Sequence, residues 1–136
     1  MVFREKYWFL SNFYPCEIHL AIDGERYHFL NAEAAYQAHK CPERAYEFQE
    51  LSGKAAKMHG RCVAIRADWE EIKYHVMKKV VFTKFKQNIK LMEKLRVLQG
   101  EIVEDNYWGD TFWGVCNGVG ENHLGKILMQ LRDETL

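Results

Sequence analysis

Leu124, Ile127, Leu128 and Leu131 fall at i, i+3, i+4 and i+7, the spacing that lines one face of an α-helix with apolar side chains. A chain that repeats this pattern folds by packing helices. Asp68-Trp69-Glu70-Glu71 reads as a D-x-x-E capping box opening a helix through about Lys86, with Ile72, Val76, Val80 and Thr83 along one stripe and a basic polar side. The next helix takes its period from Ile89, Met92 and Leu95, or from Leu91, Leu95 and Leu98, and ends at Gly100. Asn122 caps the last one. Upstream, Asn31 caps a helix running to about Lys40, where Pro42 interrupts; a second helix covers 43 to 50, and SGKAAKMHG forms a short helix ending at Gly60. Strand signals are confined to the first third, where CEIHLAI and RYHFL are joined by Asp23-Gly24, the pattern of a β-hairpin. The expected class is therefore mainly α (α+β), one domain over residues 1–136 with a small N-terminal β-hairpin.

Composition narrows the partners. Lys plus Arg equals Asp plus Glu at 19 each, so no global field draws the chain to nucleic acid or to an anionic membrane, and any affinity for phosphate is local. The four cysteines, at 16, 41, 62 and 116, form no CxxC pair, and the six histidines form no HxxxH or HxH pair. Free thiols and no metal or cofactor are the expectation. MVFREKYWFL is too charged for a signal peptide, and no run of about 18 apolar residues exists. A cytoplasmic protein without a membrane partner is expected; oligomeric state is not fixed by the sequence.

Two stretches carry candidate chemistry. In NAEAAYQAHK, residues 31 to 40, Glu33, Tyr36, Gln37 and Lys40 share one helix face, while the alanines permit close packing. Between Glu104 and Gly125 lies EDNYWGDTFWGVCNGVGENHLG, a long loop with five of the nine glycines and two of the four tryptophans. Long loops of this kind are usually functional. Asp105 and Asp110 flank Tyr107-Trp108-Gly109, so a pocket walled by Glu33 and this loop would hold what cleavage of a glycosidic bond requires: carboxylates to stabilise an oxocarbenium-like transition state and activate water, and rings to stack on the leaving base. Aspartates beside glycines also form turns without catalytic duty, and a carboxylate near a helix start complements the helix dipole. Trp69 fits a core anchor as well as a stacking platform. Lys73, Lys78, Lys79, Lys84, Lys86 and Lys90 read as a solvated face, whereas Lys54 and Lys57, after the break at Ser52-Gly53, are candidates for phosphate. GVGEN lacks the preceding strand of a dinucleotide fingerprint.

FLSNF at 9 to 13, AEAAYQAHK at 32 to 40, AAKMHG at 55 to 60, DWEEIKYHVMKKVVFTKFKQN at 68 to 88, EDNYWGD at 104 to 110 and NHLGKILMQLR at 122 to 132 closely resemble, in order, the motifs of the YbiA-like family, also called NADAR for its association with NAD and ADP-ribose metabolism. The resemblance implies a largely helical YbiA-like fold and a metal-independent N-glycosidase. Its substrates would be reactive riboflavin-pathway intermediates or ADP-ribose attached to a base such as guanine. Carried over by motif, Glu33 is the principal catalytic carboxylate, Trp69 belongs to the catalytic set, and Asp105 or Asp110 supplies a second acid. Asn12 and Phe13 of the SNF stretch join the substrate side with Tyr36, Gln37, Lys40, Lys54, Lys57, Trp108 and Gly109. Thr111 stands where the family commonly has glycine after WGD, which bears on the loop's shape and hence on the substrate. The alternative is a module that binds ADP-ribose without cleaving it. A modified nucleotide within a nucleic acid is a further partner if its base is flipped or its strand single.

Overall fold

Asp23 and Gly24 both adopt left-handed backbone conformations, φ 50° and 83°, as a two-residue type I′ turn requires. They join β1 (Pro15–Ile22) to β2 (Glu25–Asn31) as an antiparallel hairpin with His19 opposite His28 and Ile18 opposite Phe29. Ile18, Leu20, Ile22 and Phe29 face inward, and Glu17 and His19 face out. The expected hairpin is present with its expected turn.

Residues 1–134 are described by this computed structural model, and the chain forms two compact units. Residues 12–88 make the first. Here Asn31 caps α1 (Ala32–Ala38), its Oδ1 accepting from Ala34 N at 2.8 Å while its Nδ2 donates to Leu51 O at 2.9 Å. The segment expected as a helix over 43 to 50 is a 3-10 helix, Pro42–Phe48, with i to i+3 bonds such as Arg44 N to Cys41 O. Ser52 Oγ caps α2 (Gly53–His59) by accepting from Ala55 N.

The long helix α3 spans Trp69–Gln87. It starts without the capping box: Arg66 Nε and Nη2 donate to the Asp68 carboxylate at 2.6 and 3.2 Å, so that carboxylate caps no helix N–H. Its inner stripe is Val76, Met77, Val80, Val81, Lys84 and Phe85. Lys84 therefore leaves the solvated face assigned to it from sequence. It is fully buried, its ammonium 5.8 Å from the Tyr14 ring and 5.0 Å from the Phe85 ring. Burial pushes its pKa down to about 8 and raises that of the neighbouring Cys16 thiol.

The second unit comprises residues 1–11 and those from 89 onward. A 3-10 helix, Glu5–Leu10, buries Phe9 and Leu10. In α4 (Ile89–Arg96) Leu91, Met92 and Leu95 are buried, Ile89 is exposed and Leu98 lies half-buried beyond the helix end, so the inward face takes members of both expected registers and matches neither whole. The helix stops ahead of Gly100. Helix α5 (His123–Glu134) buries Leu124, Ile127, Leu128 and Leu131 as their period requires. Asn122 does not cap it through its side chain; its Oδ1 accepts from Glu104 N and its Nδ2 donates to Ile102 O, tying the preceding loop to the helix start. A two-residue parallel pairing of β3 (Asp105–Asn106) with β4 (Val115–Cys116) closes that loop. Among the described residues no helix is long and apolar enough to cross a membrane.

His39, at the end of α1, supplies a pH test of the first unit. Its ring is buried, with Nδ1 2.7 Å from Ala35 O and Nε2 3.0 Å from Lys79 Nζ, which fits a neutral imidazole donating from Nδ1 and accepting at Nε2. Burial lowers its pKa from 6.5 to about 4. The unfolded chain thus takes up a proton that the folded chain refuses, and stability is full above pH 6.5 and lost as pH falls from 6.5 toward 4. That loss amounts to about 3 kcal/mol. Urea unfolding of the wild type is expected to weaken across this window, and His39→Gln to lack that component of the slope.

Candidate functional site

Every residue of α1 is buried, so the stripe of Glu33, Tyr36 and Gln37 is interior rather than solvated. Glu33 is 9% exposed and Gln37 5%. Gln37 Nε2 donates to Glu33 Oε2 at 2.7 Å, one helical turn away. The backbone N–H of Glu33 donates to Asn12 O at 2.9 Å, so Asn12 holds the start of the helix through its main chain. Asn12 Nδ2 meets Met77 Sδ at 3.3 Å, leaving Asn12 Oδ1 buried without a hydrogen-bond partner; Gln37 Oε1 is likewise buried and unpartnered. Buried oxygens without a partner cost stability, and these two offer acceptors to a polar ligand.

Aromatic and basic groups complete the cluster. The Tyr36 and Trp69 rings lie 5.2 Å apart at 59°, both buried, and Lys40 Nζ sits 5.8 Å from the Trp69 ring. Trp69 is thus a core anchor and a wall for Lys40 at once. Partial burial lowers the Lys40 pKa, while the Glu33 carboxylate works in the opposite direction. Asn12, Glu33, Tyr36, Gln37, Lys40 and Trp69, chosen from sequence, are therefore brought together within residues 12–88. Phe13, 38% exposed, packs against Gly53 at the start of α2, next to Lys54; Lys54 is exposed and Lys57 half-buried on the same short helix.

The loop candidates belong to the other unit. Asp105 is half-exposed and accepts from the amino group of Met1. Asp110 Oδ1 accepts from the N–H groups of Phe112 and Trp113 at 3.0 and 2.9 Å, the turn-forming use of an aspartate. Trp108 is 53% exposed, and Gly109 has φ 85°, a conformation that glycine adopts freely. Sequence reasoning passed over Glu104. It is buried, and its Oε2 accepts from Asn106 Nδ2 at 2.9 Å, while that amide also donates to Asp110 O at 2.8 Å. A Cβ on Gly114, ten residues further on, would collide with Glu104 Oε2, so only glycine fits there.

A protein-family model described as the NADAR domain matches residues 2–136. The chain belongs to the NADAR domain family. This NADAR chain is 32% identical over 139 residues to an N-glycosidase of Nostoc punctiforme, with 96% of this chain and 86% of that protein covered. It is 33% identical over 140 residues to the N-glycosidase YbiA of Escherichia coli strain K12, covering 96% and 82% respectively. The NMR structure of E. coli YbiA superposes with a TM-score of 0.82 at 30% identity, over 99% of this chain and 83% of that one. A riboflavin biosynthesis protein of Vibrio vulnificus is 33% identical over 136 residues. The match covers 96% of this chain and spans about a third of that longer protein, 36% of its length. These relatives place the NADAR chain among N-glycosidase-type enzymes, and the helix-rich fold with one small hairpin is that of YbiA.

Gly60 tests how the carboxylate's partner is held. Its φ is −59°, which any residue adopts, but a Cβ there would lie 2.0 Å from Gln37 Oε1. Gly60→Ala is expected to destabilise the protein by about 1–3 kcal/mol through overpacking. Adding Gln37→Ala, which empties that space, is expected to recover much of the loss. Additive losses in urea titrations of the single and double variants would contradict the contact.

Proposed function

We propose that this NADAR enzyme hydrolyses the bond between C1 of a ribose phosphate and a nitrogen, with Glu33 as the principal carboxylate. The observation that carries the reading is a buried carboxylate held by Gln37 and flanked by Lys40, Tyr36 and Trp69. In the reaction the carbon–nitrogen bond breaks, positive charge develops on the ribose carbon and ring oxygen, and water adds at C1. The leaving nitrogen takes up a proton. A carboxylate in a site of low dielectric stabilises that charge and accepts the proton that water gives up. Lys40, whose proton burial makes easier to lose, is assigned to a substrate phosphate or hydroxyl.

The substrate favoured is an early riboflavin-pathway ribosylamino pyrimidine phosphate, because one relative is named a riboflavin biosynthesis protein. An ADP-ribosylated guanine is the competing substrate, and the family's association with ADP-ribose is what supports it. A chromatographic time course with both compounds, in the presence of a chelator, separates them. Release of the free base or amine from one compound is expected, with Glu33→Ala slowing it by about 100-fold or more. Equal turnover by a folded Glu33→Ala variant would refute the assignment. Saturable ADP-ribose binding with no release from either compound would make the cluster a recognition site.

A further inference from the structure

The outward face of the hairpin carries a second cluster that the proposed reaction does not use. Among the described residues, Glu17, His19 and His28 bring one donor atom each to within 4.8 Å of the others. We propose that these three side chains bind one divalent transition-metal cation of the zinc, nickel and copper class.

Three features of the backbone prepare the site. His19 and His28 are opposite one another in the β1–β2 register, and each turns its N–H away from the partner strand: His19 N donates to Gln87 Oε1 at 2.8 Å and His28 N to Gln49 Oε1 at 3.1 Å. They are thus a non-hydrogen-bonded pair, the kind whose side chains approach most closely. Gln87 also donates to His19 O at 2.7 Å, so the outer edge of β1 is pinned at the ligand itself. The register slips between Pro15 and Ile18, and a bulge of this sort re-aims a side chain. Here it delivers the carboxylate of Glu17 to 3.1 Å from His28 Nε2.

The side chains leave one donor atom of the cluster without a hydrogen bond. The imidazole rings stack at 4.2 Å and 5°. His28 Nε2 is shielded from solvent and has no hydrogen-bond partner, since the Glu17 oxygen is near it but not aligned for one. Stacked, the two rings hold their nitrogen lone pairs nearly parallel, so an ion about 2.1 Å from each nitrogen requires the rings to unstack by side-chain rotation, which their place on the outward face of the hairpin allows. Two imidazoles and one carboxylate suit zinc, copper or nickel rather than calcium or magnesium, which prefer oxygen ligands. The sequence hides this arrangement because His19 and His28 are nine positions apart and meet only through the turn. Bound there, the ion would clip the two strands together and takes no part in the bond cleavage proposed for Glu33.

Calorimetry with Zn²⁺ alone on the full chain tests the site, with thermal unfolding recorded in parallel. One ion per chain at micromolar concentration and a raised melting temperature are expected. His19→Ala and His28→Ala should each weaken binding by about tenfold or more, and Glu17→Gln should weaken it less than either. No saturable binding by the wild type overturns the proposal. So does zinc binding of unchanged affinity in the His19→Ala/His28→Ala double variant, since the ion then sits elsewhere, for instance on the exposed Cys62. Because none of these readouts involves turnover, failure here leaves the glycosidase reading standing, and the reverse.

Discussion

The hydrogen bond from Gln37 Nε2 to Glu33 Oε2 keeps a carboxylate inside the protein, and much of the first unit is arranged around the helix that makes it possible. At seven residues, α1 is far too short to be stable alone in water. It survives because Ala32, Ala34, Ala35 and Ala38 are fully buried, letting neighbouring elements approach its backbone. The Asn31 side chain accepts from Ala34 N in its first turn, and Asn12 O accepts from Glu33 N. Burying Glu33 and Gln37 costs stability. Both nonetheless lie in the helix whose every residue is buried.

Close approach recurs where polar groups are enclosed. Gly60 admits the Gln37 amide and Gly114 admits the Glu104 carboxylate; in each case a methyl group would occupy the oxygen's place. The two carboxylates differ in how they are held. Glu33 is backed by a side chain on its own helix, whereas Glu104 is fixed through Asn106, which also bonds Asp110 O, and through Asn122 at its own N–H. Glu104 therefore organises the loop, and Asp110 serves the same loop through its turn. Asp105 instead accepts from the amino group of Met1.

Local signals in the sequence translate directly into structure. The Asp23-Gly24 turn, the Asn31 cap and the period of α5 are legible because each is decided within a few residues. Where a tertiary partner intervenes, local rules mislead. Asp68 has the sequence of a cap, yet Arg66 takes its carboxylate; Asn122 precedes a helix, yet it binds the chain of residues 102 and 104. Lys84 looks like one more lysine on a basic face, and only the placement of Tyr14 and Phe85 shows that it is enclosed. The polar stripe of the candidate site is readable as a stripe, but its burial is not, because alanine-rich helices are as common outside as inside. Glu104 and the His19–His28 pair depend on contacts across a loop and across a turn, and no spacing rule announces them.

A double-mutant cycle on the rate of N-glycosidic hydrolysis measures whether Gln37 acts through Glu33. Turnover would be compared for wild type, Glu33→Gln, Gln37→Met and the double variant, all verified as folded. Gln37→Met is expected to lower the rate by about tenfold in the wild-type background and to change nothing further once Glu33 is gone. If the two losses multiply, or if Gln37→Met leaves the rate untouched, the buried pair is not the catalytic unit.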